Sequence, residues 1–297
     1  MKNKLTSFMS DGCKLDAEFF CPDSDNLDSS RPLIVIMSGF TGLKEIHPAR
    51  FSRFLTARGH RCFSFDYRGF ARSEGRKGHL ILREQVRDVR NAIAHVTGSG
   101  LVSRSGIILV GWAMGAGVIL EAACNEPQIC GIAGLNGLYD GRRFLALHKN
   151  DSAMKNYESW VFNARIQATK TGEWPLANPF DIYPLDPLSE TYVHDELRKF
   201  PNYSEESFSM VFADSLLTWK PEAIAPHMHV PLWLAHGTNN ELHSPNETRS
   251  LASAYAGSVT EYWIEGAGHT EWMLDDNPTF QRTANELESW ITQRLAE

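Results

Sequence analysis

The chain has 297 residues, which is enough for one large domain or two small ones. Hydrophobic residues make up 42% and charged residues 22%, a composition that is ordinary for a globular protein and excludes a disordered or fibrous chain. The formal net charge is −7 and no basic run is present, so the charge pattern argues against binding to nucleic acid or to an anionic membrane.

Cysteine usage and hydropathy predict a cytoplasmic protein. The five cysteines are odd in number and no pair has C-x-x-C spacing, which is typical of reduced thiols. The two lysines near the N-terminus are not followed by an apolar block, so we expect no secretory signal. The longest uncharged apolar stretch, residues 106–120, is too short to span a membrane, and we expect it to form a strand, a tight turn and a helix.

Strand and helix patterns alternate along the first part of the chain. Two stretches of alternating apolar residues flank Asp11-Gly12, which predicts a hairpin. The continuous apolar run from Leu33 to Met37 predicts a strand that is buried on both faces of a sheet. Further helices are expected at residues 48–58, 80–96 and 114–125, and strands at 62–65, 107–110 and 131–135. Such βαβ crossovers indicate an α/β fold with a mostly parallel central sheet and helices on both faces.

This rhythm stops near residue 139 and resumes near residue 229. Residues 139–228 are polar, proline-punctuated and rich in aromatic side chains. After them we expect strands at 231–236 and 259–264 and helices at 246–256 and 278–294. The pattern predicts one α/β core domain, residues 1–138 and 229–297, interrupted by an inserted domain at residues 139–228.

The segment Gly111-Trp112-Ala113-Met114-Gly115 follows a predicted strand and opens a predicted helix. A G-x-S-x-G motif in this context forms a nucleophile elbow, a sharp turn that raises its central residue above the sheet edge. The start of the helix then offers backbone N–H groups and a positive dipole end to a developing oxyanion. Here the elbow has Ala113 at its centre.

Four more segments agree with this elbow, and together they resemble the α/β-hydrolase superfamily over essentially the whole chain. Residues 38–42 (SGFTG) resemble the HGFxG oxyanion loop, and residues 65–73 (FDYRGFARS) resemble the DxRGxGxS segment. Residues 236–241 (HGTNNE) resemble the HGxxD turn that carries the triad acid, and residues 266–269 (GAGH) match the loop with the triad histidine. The resemblance implies the α/β-hydrolase fold, with residues 139–228 in the place of the cap domain.

The resemblance also implies a site on named positions. Residue 113 stands at the nucleophile position and His269 at that of the base, while the backbone N–H groups of Phe40 and Met114 correspond to the oxyanion hole. Thr41 and Trp112 are expected to contact substrate, with Trp112 and Phe40 near the floor of a hydrophobic pocket. Three residues are candidates for orienting His269, namely Asp140, Asn240 and Glu241.

Two of these positions depart from the family pattern. Alanine has no nucleophilic atom, so no acyl-enzyme can form through Ala113. The acid position aligns with Asn240, whose amide carries no charge to stabilise an imidazolium. Ala113 is either an engineered change or a natural loss, and Asn240 argues for natural loss unless Asp140 or Glu241 supplies the carboxylate.

Three functions therefore stay open. The first is an enzyme acting on a small apolar ester, thioester or related carbonyl compound. The second is a nucleophile-free lyase or cyclase that uses His269, and the third is a non-catalytic protein that keeps the pocket for ligand binding. No cofactor is implied, and no metal site either, because His227 and His229 lack a third ligand at fitting spacing. The expected partner is a small molecule, and the sequence does not determine the oligomeric state.

Overall fold

A computed structural model describes residues 2–23, 31–40, 43–204 and 206–296, without the side chains of residues 294–296. The strands in this part of the chain are β1 (Lys2–Ser10), β2 (Cys13–Cys21), β3 (Leu33–Met37), β4 (Arg61–Phe65), β5 (Ile107–Trp112), β6 (Ile129–Leu135), β7 (Leu176–Ala177), β8 (Phe208–Ser209), β9 (Leu232–Gly237) and β10 (Val259–Ile264).

The described helices are α1 (His47–Thr56), α2 (Leu82–Gly98), α3 (Met114–Ala123), α4 (Gly141–His148), α5 (Asp151–Thr171), α6 (Pro179–Ile182), α7 (Pro187–Asp195), α8 (Val211–Leu217), α9 (Asn246–Ala254) and α10 (Pro278–Ala296), with short 3₁₀ helices at Leu197–Lys199 and Pro221–His227. The predicted strands and helices outside residues 139–228 are therefore present, with ends that shift by a few residues.

Eight of the described strands form one sheet in the order β1-β2-β4-β3-β5-β6-β9-β10. The first two strands pair antiparallel around the turn at Asp11 and Gly12, both of which have positive φ. From β4 to β10 neighbouring strands are parallel, so the sheet is mostly parallel, as expected. The fold is the α/β-hydrolase fold that the sequence motifs indicate.

Strand β3 explains why the sheet needs helices on both faces. All five of its side chains are buried. Leu33, Val35 and Met37 pack into one hydrophobic cluster, whereas Ile34 and Ile36 pack into a second cluster. Successive side chains of a strand point to opposite faces. A continuous apolar run therefore requires a hydrophobic layer on each side of the sheet.

The chain between β6 and β9 leaves the sheet and returns to the neighbouring position, because β6 and β9 pair with each other. This inserted segment, residues 136–231, holds helices α4–α8 and the two-stranded sheet β7-β8. The carboxyl ends of β3, β5, β6 and β9 lie side by side through parallel pairing. The loops that follow these four strands consequently meet at one edge of the sheet, where ligands bind in open α/β sheets.

Candidate active site

The elbow between β5 and α3 has Ala113 at its apex. Ala113 has φ 53° and ψ −122°, a backbone conformation that costs about 1–3 kcal/mol for a residue with a side chain. Its N–H donates to the carbonyl of Leu135 at 2.9 Å. A Cβ on Gly111 would lie 2.6 Å from the carbonyl oxygen of Gly115, so the turn closes only because residue 111 has no side chain. The nucleophile elbow is thus formed in the main chain although its central side chain is a methyl group.

The loop after β3 packs directly on this elbow. A Cβ on Gly115 would overlap the carbonyl oxygen of Ser38, and one on Gly39 would lie 2.9 Å from the Cβ of Ala113. These two glycines bring the main chain before Phe40 against the start of α3. Met114 is the first residue of α3, so its N–H has no acceptor within the helix and lies at the positive end of the helix dipole. Thr41, the other residue expected in this loop to contact substrate, lies outside the described residues.

The side chains of Phe40 and Trp112 point into different surroundings. Phe40 is partly buried and stacks on Tyr183 and Phe212 of the inserted segment, with ring centroids 4.8 Å and 5.4 Å away. Trp112 is buried between core residues, with His269 at 5.5 Å and Trp272 at 5.4 Å between ring centroids. The predicted aromatic lining is therefore built from both the core and the inserted segment.

His269 is buried and hydrogen-bonded through one ring nitrogen. Its Nδ1 lies 3.0 Å from the Nδ2 of Asn240, in the position where the family places an acid. Burial lowers the pKa of His269 well below its usual range, and His243, His236 and His47 add to that decrease. No carboxylate bonds to its ring in the described part of the chain. His269 is accordingly a neutral imidazole at pH 7.

The structure separates the three candidates for orienting His269. Asp140 caps helix α4, where its Oδ1 accepts from the N–H groups of Arg142 and Arg143 at 2.9 Å and 3.0 Å, and Lys220 lies 3.2 Å from its Oδ2. The side chain of Glu241 is exposed and lines a surface pocket beside Asn239. Asp140 and Glu241 therefore do not contact His269 in this structure, because their carboxylates are engaged or exposed elsewhere. Asn240 alone of the three contacts His269.

A buried network of histidines surrounds this contact, and the sequence motifs do not predict it. His243 donates from Nδ1 to the carbonyl of Asn136 at 2.7 Å, and its Nε2 accepts from the hydroxyl of Tyr183. His236 donates from Nε2 to the carbonyl of His243 at 2.9 Å. Burial lowers the pKa of His236 to about 4 and that of His243 to about 3. The only sequence signal for His236 is its place at the start of the acid turn, and nothing local marks His243 or Tyr183.

Asn136 ties this network to the sheet edge. Directly after β6 it adopts φ 46°, and its amide donates to the carbonyl of His269 at 2.8 Å. Its Oδ1 accepts from the N–H of Gly237 at 2.8 Å. The short polar side chain of asparagine tolerates this left-handed conformation. One residue thereby joins the ends of β6 and β9 to the loop that carries His269.

Ala113 and His269 line the same cavity, which has a volume of about 50 Å³ and is mostly apolar. The core and the inserted segment both contribute to its wall, through Phe40, His47, Trp112, Ala113, Phe180, Tyr183, Leu185, Ser189, Tyr192, Val193, Leu197, Leu242, His269 and Thr270. A drug-sized ligand needs about 300 Å³ or more, so this cavity as it stands has room only for a small group.

Two features of the described residues bear on cofactors and membranes. Among them, no three or more His, Cys, Asp or Glu residues are grouped so that they could hold a metal ion. No helix in the same part of the chain is long and apolar enough to cross a bilayer.

The fold, the elbow and the histidine loop define the protein class as that of the α/β hydrolases. A family model described as the alpha/beta hydrolase family matches residues 34–281, which is most of the chain. The protein belongs to this family of hydrolases.

Relatives of similar length exist in a bacterium and a virus. An Escherichia coli protein called "Uncharacterized 31.7 kDa protein in traX-finO intergenic region" is 22% identical over 264 residues, 89% of this chain and 91% of that protein. The monoglyceride lipase homolog of Monkeypox virus is 26% identical over 240 residues, 78% of this chain and 79% of that protein.

Solved structures with the same fold include two that hold substrate analogues. DcsB in complex with its substrate analogue is 16% identical, with a TM-score of 0.82 over the full length of both chains. A soluble variant of monoglyceride lipase from Saccharomyces cerevisiae is 17% identical, with a TM-score of 0.72 over 99% of this chain and 96% of that one. At these identities the likeness shows the shared fold.

Proposed function

We propose that the protein binds a small apolar ester, thioester or related carbonyl compound at the elbow, and that it does so without forming an acyl-enzyme. The observation that carries this proposal is the main chain at Ala113, which has kept the strained elbow conformation although no nucleophile is present. Strain of about 1–3 kcal/mol persists only where the surrounding structure maintains it, and it is concentrated at functional sites.

The electrostatics of the elbow favour a carbonyl oxygen as the bound group. The N–H of Met114 lies at the positive end of α3, directly after Ala113, which lines the mostly apolar cavity. Hydrogen-bond donors in such a dry site stabilise developing negative charge on oxygen far better than they do in water. The N–H of Phe40, from the loop packed on the elbow, is the second donor in this proposal.

The surroundings of Asn240 support natural loss of the nucleophile over an engineered change. A single Ser→Ala change made to trap a substrate leaves the orienting acid in place. Here the orienting position is an amide, and neither Asp140 nor Glu241 supplies a carboxylate to His269. Two departures in one site, with no replacement for either, are expected from divergence.

The test compares three forms of the protein, namely the Ala113 chain, Ala113→Ser, and the double variant Ala113→Ser with Asn240→Asp. Each is assayed with a panel of ester and thioester substrates and with a fluorophosphonate that labels activated serines. We expect the double variant to label and to show an acyl-enzyme burst, and the Ala113 chain to bind the same compounds without turnover through this route. The proposal fails if the Ala113 chain binds none of these compounds by calorimetry, whether or not the double variant labels or turns over.

A second candidate is a nucleophile-free lyase or cyclase acting on an enolisable carbonyl compound. The observation that favours it is the joint presence of Ala113 and an amide at position 240. The ionisable side chains that line the described cavity with Ala113 are then His269, His47, Tyr183 and Tyr192. Replacing His269 by Gln separates this candidate from a binding protein. Loss of turnover with ligand affinity retained supports the lyase, and a change in ligand affinity with no turnover in either form supports a binding protein.

A further inference from the structure

The orientation of the Asn240 amide is determined by its backbone partners. Its Oδ1 accepts from the N–H of His243 at 2.9 Å and from that of Leu242 at 3.1 Å. A backbone N–H can only donate, so both partners require an oxygen. Turning the amide over would place its NH₂ group against two donors and break both bonds.

The other end of the amide therefore faces His269 with a donor. The Nδ2 of Asn240 lies 3.0 Å from the Nδ1 of His269 and 3.3 Å from the Nε2 of His236. The Nε2 of His236 already donates its proton to the carbonyl of His243. The Nδ1 of His236 accepts from the Thr248 hydroxyl at 2.9 Å. Because His236 has no lone pair to offer at Nε2, the acceptor for the Asn240 amide is the Nδ1 of His269.

This acceptor role determines which nitrogen of His269 carries the proton. A neutral imidazole has one donor and one acceptor nitrogen. Because Nδ1 accepts, the proton is on Nε2. Asn240 does not contact Nε2, so this nitrogen is available to a ligand in the cavity that His269 and Ala113 both line. In the family pattern an acid accepts from Nδ1–H, and the lone pair of Nε2 is free to act as a base.

We propose that Asn240 is a positioning residue that reverses the polarity of His269, so that the histidine offers the cavity a hydrogen-bond donor and not a base. The inference deepens the proposed function, on which it rests for the identity of the ligand. The ligand class that fits is a carbonyl compound with a second acceptor oxygen, such as an ester or a dicarbonyl. One oxygen then lies against the N–H groups of the elbow and the other accepts from the Nε2–H of His269.

The polarity can be measured directly by nuclear magnetic resonance. Protein labelled with ¹⁵N-histidine gives long-range ¹H–¹⁵N patterns that distinguish the Nε2–H tautomer from the Nδ1–H tautomer, and His269→Gln identifies the signals of His269. We expect Nε2–H in the unaltered protein and Nδ1–H in Asn240→Asp, whose carboxylate keeps the two backbone bonds and accepts from Nδ1. The exposed neighbour provides the matched control, since Glu241→Gln leaves the pattern unchanged.

The spectrum of the unaltered protein decides the inference by itself, whether or not Asn240→Asp folds. An Nδ1–H pattern, or a rapid mixture of both tautomers, overturns it. This readout does not depend on any substrate, so the inference can stand when the proposed function fails.

A kinetic readout checks the consequence for catalysis. In Ala113→Ser, the serine hydroxyl lies near the Nε2–H of His269, which is a donor. His269 therefore cannot accept the proton of the serine hydroxyl. Fluorophosphonate labelling of Ala113→Ser is therefore expected to be at least about 100-fold slower than labelling of the double variant with Asn240→Asp, the range that a positioned general base contributes. Equal labelling rates overturn the inference and leave the proposed function intact. Absence of labelling in both, with the expected change of tautomer, counts against the proposed function alone.

Discussion

The elbow half and the histidine half of the site depart from the family pattern in different ways. At the elbow, Ala113 stands where the pattern has a serine, while the turn, the helix start and the packed loop of Gly39 are all in place. At the histidine, the side chain is in place but its partner is an amide, Asn240, in the position of an acid. The first half is built from main-chain geometry and the second from the polarity of single atoms.

This difference shows which parts of a catalytic site tolerate sequence change. A main-chain turn depends on close approaches that only glycine permits, and such approaches do not depend on the side chain at the apex. A side-chain relay depends on which atom donates and which accepts, and replacing one oxygen by NH₂ reverses it. The two halves can be perturbed separately, and the expected effects below decrease in size.

Lowering the pH is expected to destabilise the protein through the histidine half of the site. Burial holds the pKa of His47 and His243 at about 3 and that of His236 at about 4, and the pKa of His269 is also well below its usual range. In the unfolded chain the pKa of histidine is about 6.5. At a pH between the folded and unfolded pKa values, the unfolded state therefore binds more protons than the folded state. The stabilisation is complete above about pH 6.5 and is lost as the pH falls towards 4.

The opposite shift of two buried carboxyls reduces the size of this effect. Each of the four histidines contributes about 1.4 kcal/mol per pH unit. Burial raises the pKa of Asp66 to about 6 and also raises that of Glu247, and both shifts act against the histidines. Near pH 5 we expect these six groups together to lower the free energy of unfolding by about 3 kcal/mol per pH unit. Urea unfolding at pH 6 and pH 5 measures this slope, and His47→Gln should lower it by about 1.4 kcal/mol per pH unit. A flat profile over this range would show that these rings are protonated in the folded protein.

Adding a methyl group to Gly115 is expected to destabilise the protein through the elbow half of the site. The Cβ of Gly115→Ala overlaps the carbonyl oxygen of Ser38, and neither main chain can yield without moving the elbow. We expect a loss of about 3 kcal/mol in the free energy of unfolding, measured by chemical denaturation. Gly98→Ala is the matched control, because Gly98 is also helical and its Cβ would meet nothing within 4 Å. That control should stabilise the protein by about 0.5–1 kcal/mol, and equal effects at both positions would contradict the close packing.

Removing the methyl group of Ala113 gives the smallest expected effect. Ala113→Gly releases the strain of φ 53° and should raise the free energy of unfolding by about 1 kcal/mol. The matched control is Ala116→Gly, three residues further along α3, which should lower it by about 1–2 kcal/mol through loss of helix propensity and of a buried methyl group. Two destabilised variants in thermal denaturation would mean that the elbow carries no strain at residue 113.

Much of the fold could be predicted because its signals are local. The run Leu33–Met37 predicts a buried strand, and its side chains do pack into clusters on both faces of the sheet. Asp11-Gly12 predicts the hairpin because both residues must adopt positive φ there. The helix predicted at residues 114–125 ends at Ala123, since the next residue is extended. End positions depend on such single dihedral angles, which sequence patterns locate only to within a few residues.

The sequence by itself determined the order of strands and helices outside residues 139–228 and the elbow at Ala113, because periodicity and glycine spacing act over a few neighbouring residues. Its resemblance to the α/β hydrolases implied the loop that carries His269. Only the tertiary structure decided that Asn240 and not Asp140 contacts His269, and that Tyr183 bonds to His243. These contacts join residues far apart in the chain. Which atom donates and which accepts in each contact depends on the other hydrogen bonds that form where the strand ends converge. The direction of these hydrogen bonds is a property of the packed site, and a local sequence pattern does not predict it.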